Sequence, residues 1–252
     1  MQQPTTTSPW FLPLTQGPAG AVRVVCFPYA GGAASAYFPL SRCLSADLDV
    51  LAVQYPGRQN RRLEPPVQDM GMLADAVTAE LGPWLDRPVA FFGHSMGAIL
   101  AFEVARRLER RDGFSLERLF ASGCRAPSSL REIEDFRHLD DDGVIAQMGA
   151  LGGTDATLIA DDELLRLTLP AVRGDYEAVR TYRAEPGSTL RAPVTVLRGE
   201  DDARVTAEEA AGWHTHTASA CDVRAFTGGH FFLNDHVREI GGLVNDALSG
   251  VQ

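Results

Sequence analysis

Ser95, Asp202 and His230 are three residues whose types and order can together activate a hydroxyl. A serine hydroxyl is a poor nucleophile until a base takes its proton. Ser95 sits in Gly93-His94-Ser95-Met96-Gly97, a G-x-S-x-G pattern. Glycine and serine are common, so the pattern alone says little. Its surroundings say more. Val89-Ala90-Phe91-Phe92 reads as a short buried strand, and Ala98 to Ala105 starts a helix directly after the motif. A strand, a tight turn and a helix lift the serine to a helix N-terminus, where exposed N–H groups favour developing negative charge. Gly93 and Gly97 are small enough to let such a turn close.

The base must come from elsewhere. Of six histidines, His230 follows the apolar run 221–226 and the loop Thr227-Gly228-Gly229, and it precedes the last helix. That position lets it reach across the top of a sheet. His94 lies inside the turn and is expected to point away from the nucleophile. His214 and His216 end a helix and are expected at the surface. His138 and His236 read as structural or solvated. A carboxylate that orients the imidazole and stabilises its charged form should follow the preceding strand. Asp201 and Asp202 compete for that role in Gly199-Glu200-Asp201-Asp202. The order Ser95, Asp202, His230 fits a nucleophile on such a turn. The other aspartate, Asp201, is expected to do no more than cap the helix near Thr206.

Stabilising an oxyanion takes two aimed donors. One is expected to be the backbone N–H of Met96. The other should come from the loop Phe27-Pro28-Tyr29-Ala30-Gly31-Gly32. A phosphate cradle is the alternative for Gly31-Gly32, but no Gly-Lys-Ser/Thr follows.

The elements that must hold these residues alternate. Short apolar runs at 22–27, 50–54, 89–92, 119–122, 194–197 and 223–226 read as strands of a mostly parallel sheet. Helical stretches at 70–85, 96–111, 207–214 and 237–248 lie between them, which predicts an α/β protein with helices on both faces. Residues 1–9 read as a loose tail. From about 128 to 185 no strand is evident, and amphipathic pieces run over 140–148, 161–169 and 171–182. We expect an inserted helical lid over the carboxyl ends of the strands, with Leu165, Leu169 and Val172 lining an acyl channel; an ordinary helical excursion that covers core is the alternative. The chain of 252 residues is expected to form a single domain.

Composition narrows the rest. A net charge of −10 argues against nucleic acid and anionic membranes. Cys26, Cys43, Cys124 and Cys221 are widely spaced, which argues against a metal or disulfide framework, and Cys26 and Cys124 read as buried thiols. No secretory leader or membrane-spanning run is visible, so a soluble, cytoplasmic, monomeric protein without metal or cofactor is expected.

Taken together, Phe27 to Gly32, Gln54-Tyr55-Pro56-Gly57-Arg58, the Ser95 turn and Gly228-Gly229-His230-Phe231-Phe232-Leu233 resemble type II thioesterases. These free-standing α/β-hydrolases edit polyketide and nonribosomal peptide synthesis. The pieces 164–169 and Asp175-Tyr176 resemble the family too. The resemblance spans roughly residues 10–248. It implies hydrolysis of stalled acyl groups from the phosphopantetheine arm of acyl or peptidyl carrier proteins. It selects Asp202, the fourth residue of a Gly-x-x-Asp turn, and it puts the oxyanion donors on Ala30 and Met96. Tyr29 stands where many relatives carry histidine and is a candidate substrate contact. Arg58, with Arg61 and Arg62, is a candidate contact for the arm's phosphate or an acidic carrier; a solvated basic turn is the plainer alternative for Arg61 and Arg62. A small-ester carboxylesterase and a non-catalytic binding module on the same fold are the competing expectations.

Overall fold

Seven strands form one sheet: β1 (Phe11–Thr15), β2 (Arg23–Phe27), β3 (Asp49–Val53), β4 (Val89–His94), β5 (Leu116–Ser122), β6 (Val194–Gly199) and β7 (Cys221–Phe226). Their order is β1-β3-β2-β4-β5-β6-β7. All neighbours are parallel except β1, which runs antiparallel on β3. The computed structural model describes residues 8–129, 135–150 and 162–251.

Strands β2 to β6 are mostly buried on both faces, which is why they read as unbroken apolar runs, whereas the edge strands β1 and β7 are partly exposed. Side chains alternate along each strand. Val25, Phe27, Val89 and Phe91 join a core beneath α2 (Met70–Leu81) and α3 (Met96–Glu109). Val24, Cys26, Ala90 and Phe92 join the opposite core, with Tyr37, Leu40, Phe232, Ile240 and Val244. Cys26 and Cys124 are buried free thiols, as expected. Strand β1 has no counterpart among the expected elements. It carries Pro13, which removes a ladder donor and is tolerated because β1 is an edge strand.

The strand order creates the crevice. The chain leaves β2 toward β3 on one side and leaves β4 toward β5 on the other. Loops that diverge in this way open a cleft at the carboxyl ends, the usual ligand position of open α/β sheets. Phe27 pairs in register with Gly93, so the loop after β2 and the turn after β4 start side by side.

The stretch expected as a lid differs in detail. The pieces at 161–169 and 171–182 are one helix, Asp162–Thr181, with Pro170 inside it. Helix α4 (Asp141–Ala150) accounts for the piece at 140–148. The C-terminal half of the long helix packs on the body of the protein: Ala171, Val172, Asp175 and Ala178 are buried. Tyr182 just beyond it donates to Glu103 Oε1 on α3 at 2.9 Å. Among the described residues no helix is long and apolar enough to cross a membrane.

Candidate active site

The turn that carries Ser95 closes only because two residues lack a side chain. A Cβ on Gly97 would overlap the carbonyl oxygen of Phe27, and one on Gly93 would overlap the carbonyl of Gly97. Ser95 is held at φ 54°, ψ −121°, a conformation non-glycine residues rarely adopt. Strain of that kind costs of the order of 1–3 kcal/mol and persists where surrounding structure over-determines it. The Ser95 N–H is tied to Ser122 O at 2.8 Å, and α3 begins at the next residue.

His230 and Asp202 reach this serine from two loops that are laced together. Glu200 N–H donates to Phe226 O at 2.7 Å, and Asp201 N–H to Gly228 O at 3.0 Å. Gly199 abuts the Gly228 and Gly229 carbonyls so closely that a Cβ there would overlap them. The result is a continuous chain of hydrogen bonds. Ser95 Oγ donates to His230 Nε2 at 3.0 Å, and His230 Nδ1–H donates to Asp202 Oδ2 at 2.8 Å. Asp202 Oδ1 accepts the Arg204 N–H at 2.9 Å. His230 and Asp202 are both buried, at 7% and 5% exposure. This arrangement can move a proton off Ser95 and stabilise the imidazolium that results. Asp201 is exposed. The helix cap expected of it belongs to Thr206, whose hydroxyl and Glu209 form a reciprocal capping box.

The other histidines divide. His138 is exposed. His236 bonds Thr227 and stands at the N-cap position of the last helix without a side-chain capping bond. His94 is fully buried, its Nδ1 bonded to Ser122 Oγ at 2.9 Å and its ring beside that of His230, with centroids 5.2 Å apart. Burial, then the neighbouring His230, drives its pKa well below the usual histidine value, so it backs the site as a neutral ring. His216 is not at the surface as expected. It is buried, donating from Nδ1 to Ser188 O at 2.8 Å and accepting from the Ser128 hydroxyl at 2.8 Å.

A cavity of about 470 Å³ opens beside Ser95 and His230. Ala30 and Met96, the expected oxyanion donors, both border it. Its wall is apolar at Met96, Ile99, Ala126 and Val205, with Tyr176, Val179 and Tyr182 contributed by the long helix and its end. Cys124 also borders it, but burial pushes that thiol up to about 12, which leaves the serine as the nucleophile. Tyr29 is half-buried and packs edge-on against Phe231, with centroids 4.9 Å apart.

Three expected contacts are corrected. Leu169 and Val172 do not line this cavity; they are buried with Phe136, Val144, Met148 and Tyr176, joining the long helix to α4. The side chain of Leu165 lies outside the described residues. Arg58 does not face a carrier: it is 4% exposed and paired through Nη1 and Nη2 with Asp175 at 2.8 and 2.9 Å. Arg61 is likewise buried, bonded to Glu64 and Gln54 O and lying over the Trp10 ring, while Arg62 is exposed. The true lining residues sit one and two helical turns past Val172, at Tyr176 and Val179, on the same face by i, i+4, i+7 spacing.

Val179→Trp should lower kcat/KM for octanoyl relative to acetyl substrates, because a pocket discriminates by about 1–3 kcal/mol per methylene. Leu169→Ala should cost about 2–5 kcal/mol of stability and leave that ratio unchanged. A kinetic series over acyl length, with urea unfolding of each variant, checks both. A ratio moved by Leu169 and untouched by Val179 would reverse the assignment.

Residues 22–248 match the family model described as thioesterase domain. The chain belongs to the thioesterase domain family. It is 48% identical over 243 residues to a probable cadicidin biosynthesis thioesterase of Streptomyces griseus, covering 96% of this chain and 67% of that one. It is 45% identical over 240 residues to thioesterase PikA5 of Streptomyces venezuelae, covering 95% and 85%. The structure of BorB, a type II thioesterase from the borrelidin biosynthetic cluster, superimposes with a TM-score of 0.91 at 43% identity, covering 97% of this chain and 99% of that one. This thioesterase is therefore a thioester hydrolase of the α/β-hydrolase fold.

Proposed function

We propose that this thioesterase clears acyl groups from the phosphopantetheine arms of carrier proteins in polyketide or nonribosomal peptide synthesis. The observation that carries the reading is the Ser95–His230–Asp202 chain at 3.0 and 2.8 Å, opening on a mainly apolar cavity that Arg125, Arg183 and Arg204 also line. The relatives named for cadicidin biosynthesis and for the borrelidin biosynthetic cluster support the substrate class.

His230 Nε2 takes the Ser95 proton as Oγ attacks the thioester carbonyl. The tetrahedral oxyanion is met by the backbone N–H groups of Ala30 and Met96, the latter at the start of α3 where the helix dipole adds to it. As the C–S bond breaks, the imidazolium returns its proton to the departing thiol. A water then enters, His230 takes its proton, and hydroxide adds to the Ser95 ester. Collapse frees the carboxylic acid and restores the serine. Asp202 keeps the imidazole in the tautomer with Nδ1–H, so that Nε2 is bare when Ser95 needs a base.

All substrates of an editing enzyme share the carrier and its arm, so recognition should lie partly there. The same acyl group should therefore be hydrolysed with a higher kcat/KM on a carrier protein than on a short pantetheine mimic. Acetyl and propionyl should be among the good substrates. Steady-state kinetics on matched pairs measures the ratio. A value of one or below would leave a general thioesterase as the better description.

A further inference from the structure

The buried Arg58–Asp175 pair does more than join two elements. Asp175 lies on the long helix, and its carboxylate is 1% exposed. Oδ2 accepts the Gly31 N–H at 2.7 Å and Arg58 Nη1 at 2.8 Å, while Oδ1 accepts Arg58 Nη2 at 2.9 Å. Arg58 Nη1 also donates to Gly32 O at 3.0 Å, and its Nε to Pro56 O at 3.2 Å. Two charges taken out of water gain little net stability over well-packed apolar residues. What this pair supplies is geometry, and the geometry falls on the two residues that follow Ala30.

The loop there is a tight turn. Gly32 N–H donates to Tyr29 O at 2.8 Å, and Gly31 has φ +77°. A positive φ at the third residue of such a turn calls for glycine. Here a Cβ would also meet Val172 Cγ2 at 2.7 Å. The long helix thus presses on Gly31 with Val172 and grips its N–H with Asp175. The N–H of Ala30 takes no part in closing a turn of this kind and belongs to a residue that borders the cavity. It lies one peptide before the Ala30–Gly31 plane, which Asp175 grips through the Gly31 N–H, inside the turn closed by the Gly32 N–H to Tyr29 O bond.

We infer that Asp175 and Arg58 are positioning residues of the oxyanion hole, and that the long helix, expected as a cover over the site, is through them a fixed part of the catalytic frame. The inference rests on the proposed role of the Ala30 N–H. It follows that any substrate or carrier that shifts this helix also shifts the donor. It follows too that the body of the helix from Val172 onward stays docked during turnover.

The test is Asp175→Asn, which keeps shape and removes charge. An amide has one acceptor and one donor end. It can satisfy Gly31 N–H only by turning its NH2 toward Arg58, so the plane of the turn is no longer pinned. Arg58→Lys is the milder companion, since lysine keeps the charge and loses the two-pronged grip. With active sites counted by fluorophosphonate titration at Ser95, kcat per site should fall roughly ten- to hundredfold in Asp175→Asn, with KM little changed. Arg58→Lys should fall less. Affinity for an alkyl boronic acid, which forms a tetrahedral adduct on Ser95, should drop in proportion to kcat/KM. Lowered thermal stability with kcat per titrated site and boronate affinity unchanged in both variants would overturn the inference and leave the pair as a structural tie. Turnover surviving in Ser95→Ala would overturn the reading of the site itself, and this inference with it.

Discussion

Ser95→Ala is expected to lose several orders of magnitude in kcat while unfolding close to the wild-type temperature. Deleting the serine or the histidine of the triad costs about a millionfold in subtilisin, as much as removing all three, because the members act as a unit. Here the unit is visible as an unbroken hydrogen-bond chain from Ser95 through His230 to Asp202. Stability should barely move, since alanine at φ 54° bears the same backbone strain as serine. Ser95→Gly separates the two effects. It should be as inactive as the alanine variant yet more stable than it, by about 1 kcal/mol once the larger freedom of glycine in the unfolded chain is offset. Hydrolysis of an acyl-carrier substrate and thermal unfolding of the three proteins measure this. Near-normal turnover in Ser95→Ala would remove the serine from the mechanism.

Such a strained serine is legible in sequence because the strain has a local cause. Gly93 and Gly97 flank it, an apolar strand ends on it, and a helix begins after it. His230 was legible for a similar reason: Gly228-Gly229 after the last strand lets a loop fold back across the sheet. The alternation of strands and helices followed from continuous apolar runs that only a doubly covered sheet can use. What failed depended on which partner a residue meets far along the chain. Arg58 in a Pro-Gly-Arg turn looks like a solvent-facing cation, and nothing nearby announces Asp175, 117 residues away, as its partner. His216 follows an exposed residue and looks superficial, but Ser188 and Ser128 close over it. Strand β1 was hidden by Pro13, which an edge position tolerates and a central one would not. Leu169 and Val172 were chosen as apolar residues of a helix over the site; they share a face with Tyr176 and Val179, and how far along that face α4 packs decides which of them meet the cavity.

A second large loss is expected from Asp202→Asn, which exchanges one carboxylate oxygen for an amide nitrogen. The carboxylate uses its two oxygens for different partners, Oδ2 for His230 Nδ1–H and Oδ1 for the Arg204 N–H. An amide has only one oxygen. If it serves the Arg204 N–H, its NH2 faces His230 Nδ1, which must then act as acceptor. The imidazole proton moves to Nε2, and the nitrogen that should receive the Ser95 proton is already occupied. If the amide oxygen instead serves His230, a backbone N–H in a buried turn meets a donor, at a cost of about 1–3 kcal/mol. Either way the productive tautomer is lost or the turn is destabilised. The corresponding change in chymotrypsin-type enzymes lowers kcat by about ten-thousandfold, and a loss approaching that size is expected here. Asp201→Asn should alter kcat by less than about threefold, since that side chain is exposed and only its backbone meets the His230 loop. Both variants differ from wild type by one group at adjacent positions, so the pair controls for net charge and for the turn. Hydrolysis rates measured side by side on one acyl-carrier substrate decide the matter. Equal losses would mean that the local negative field matters more than the imidazole's orientation, and a larger loss at Asp201 would mean that the wrong carboxylate has been assigned to His230.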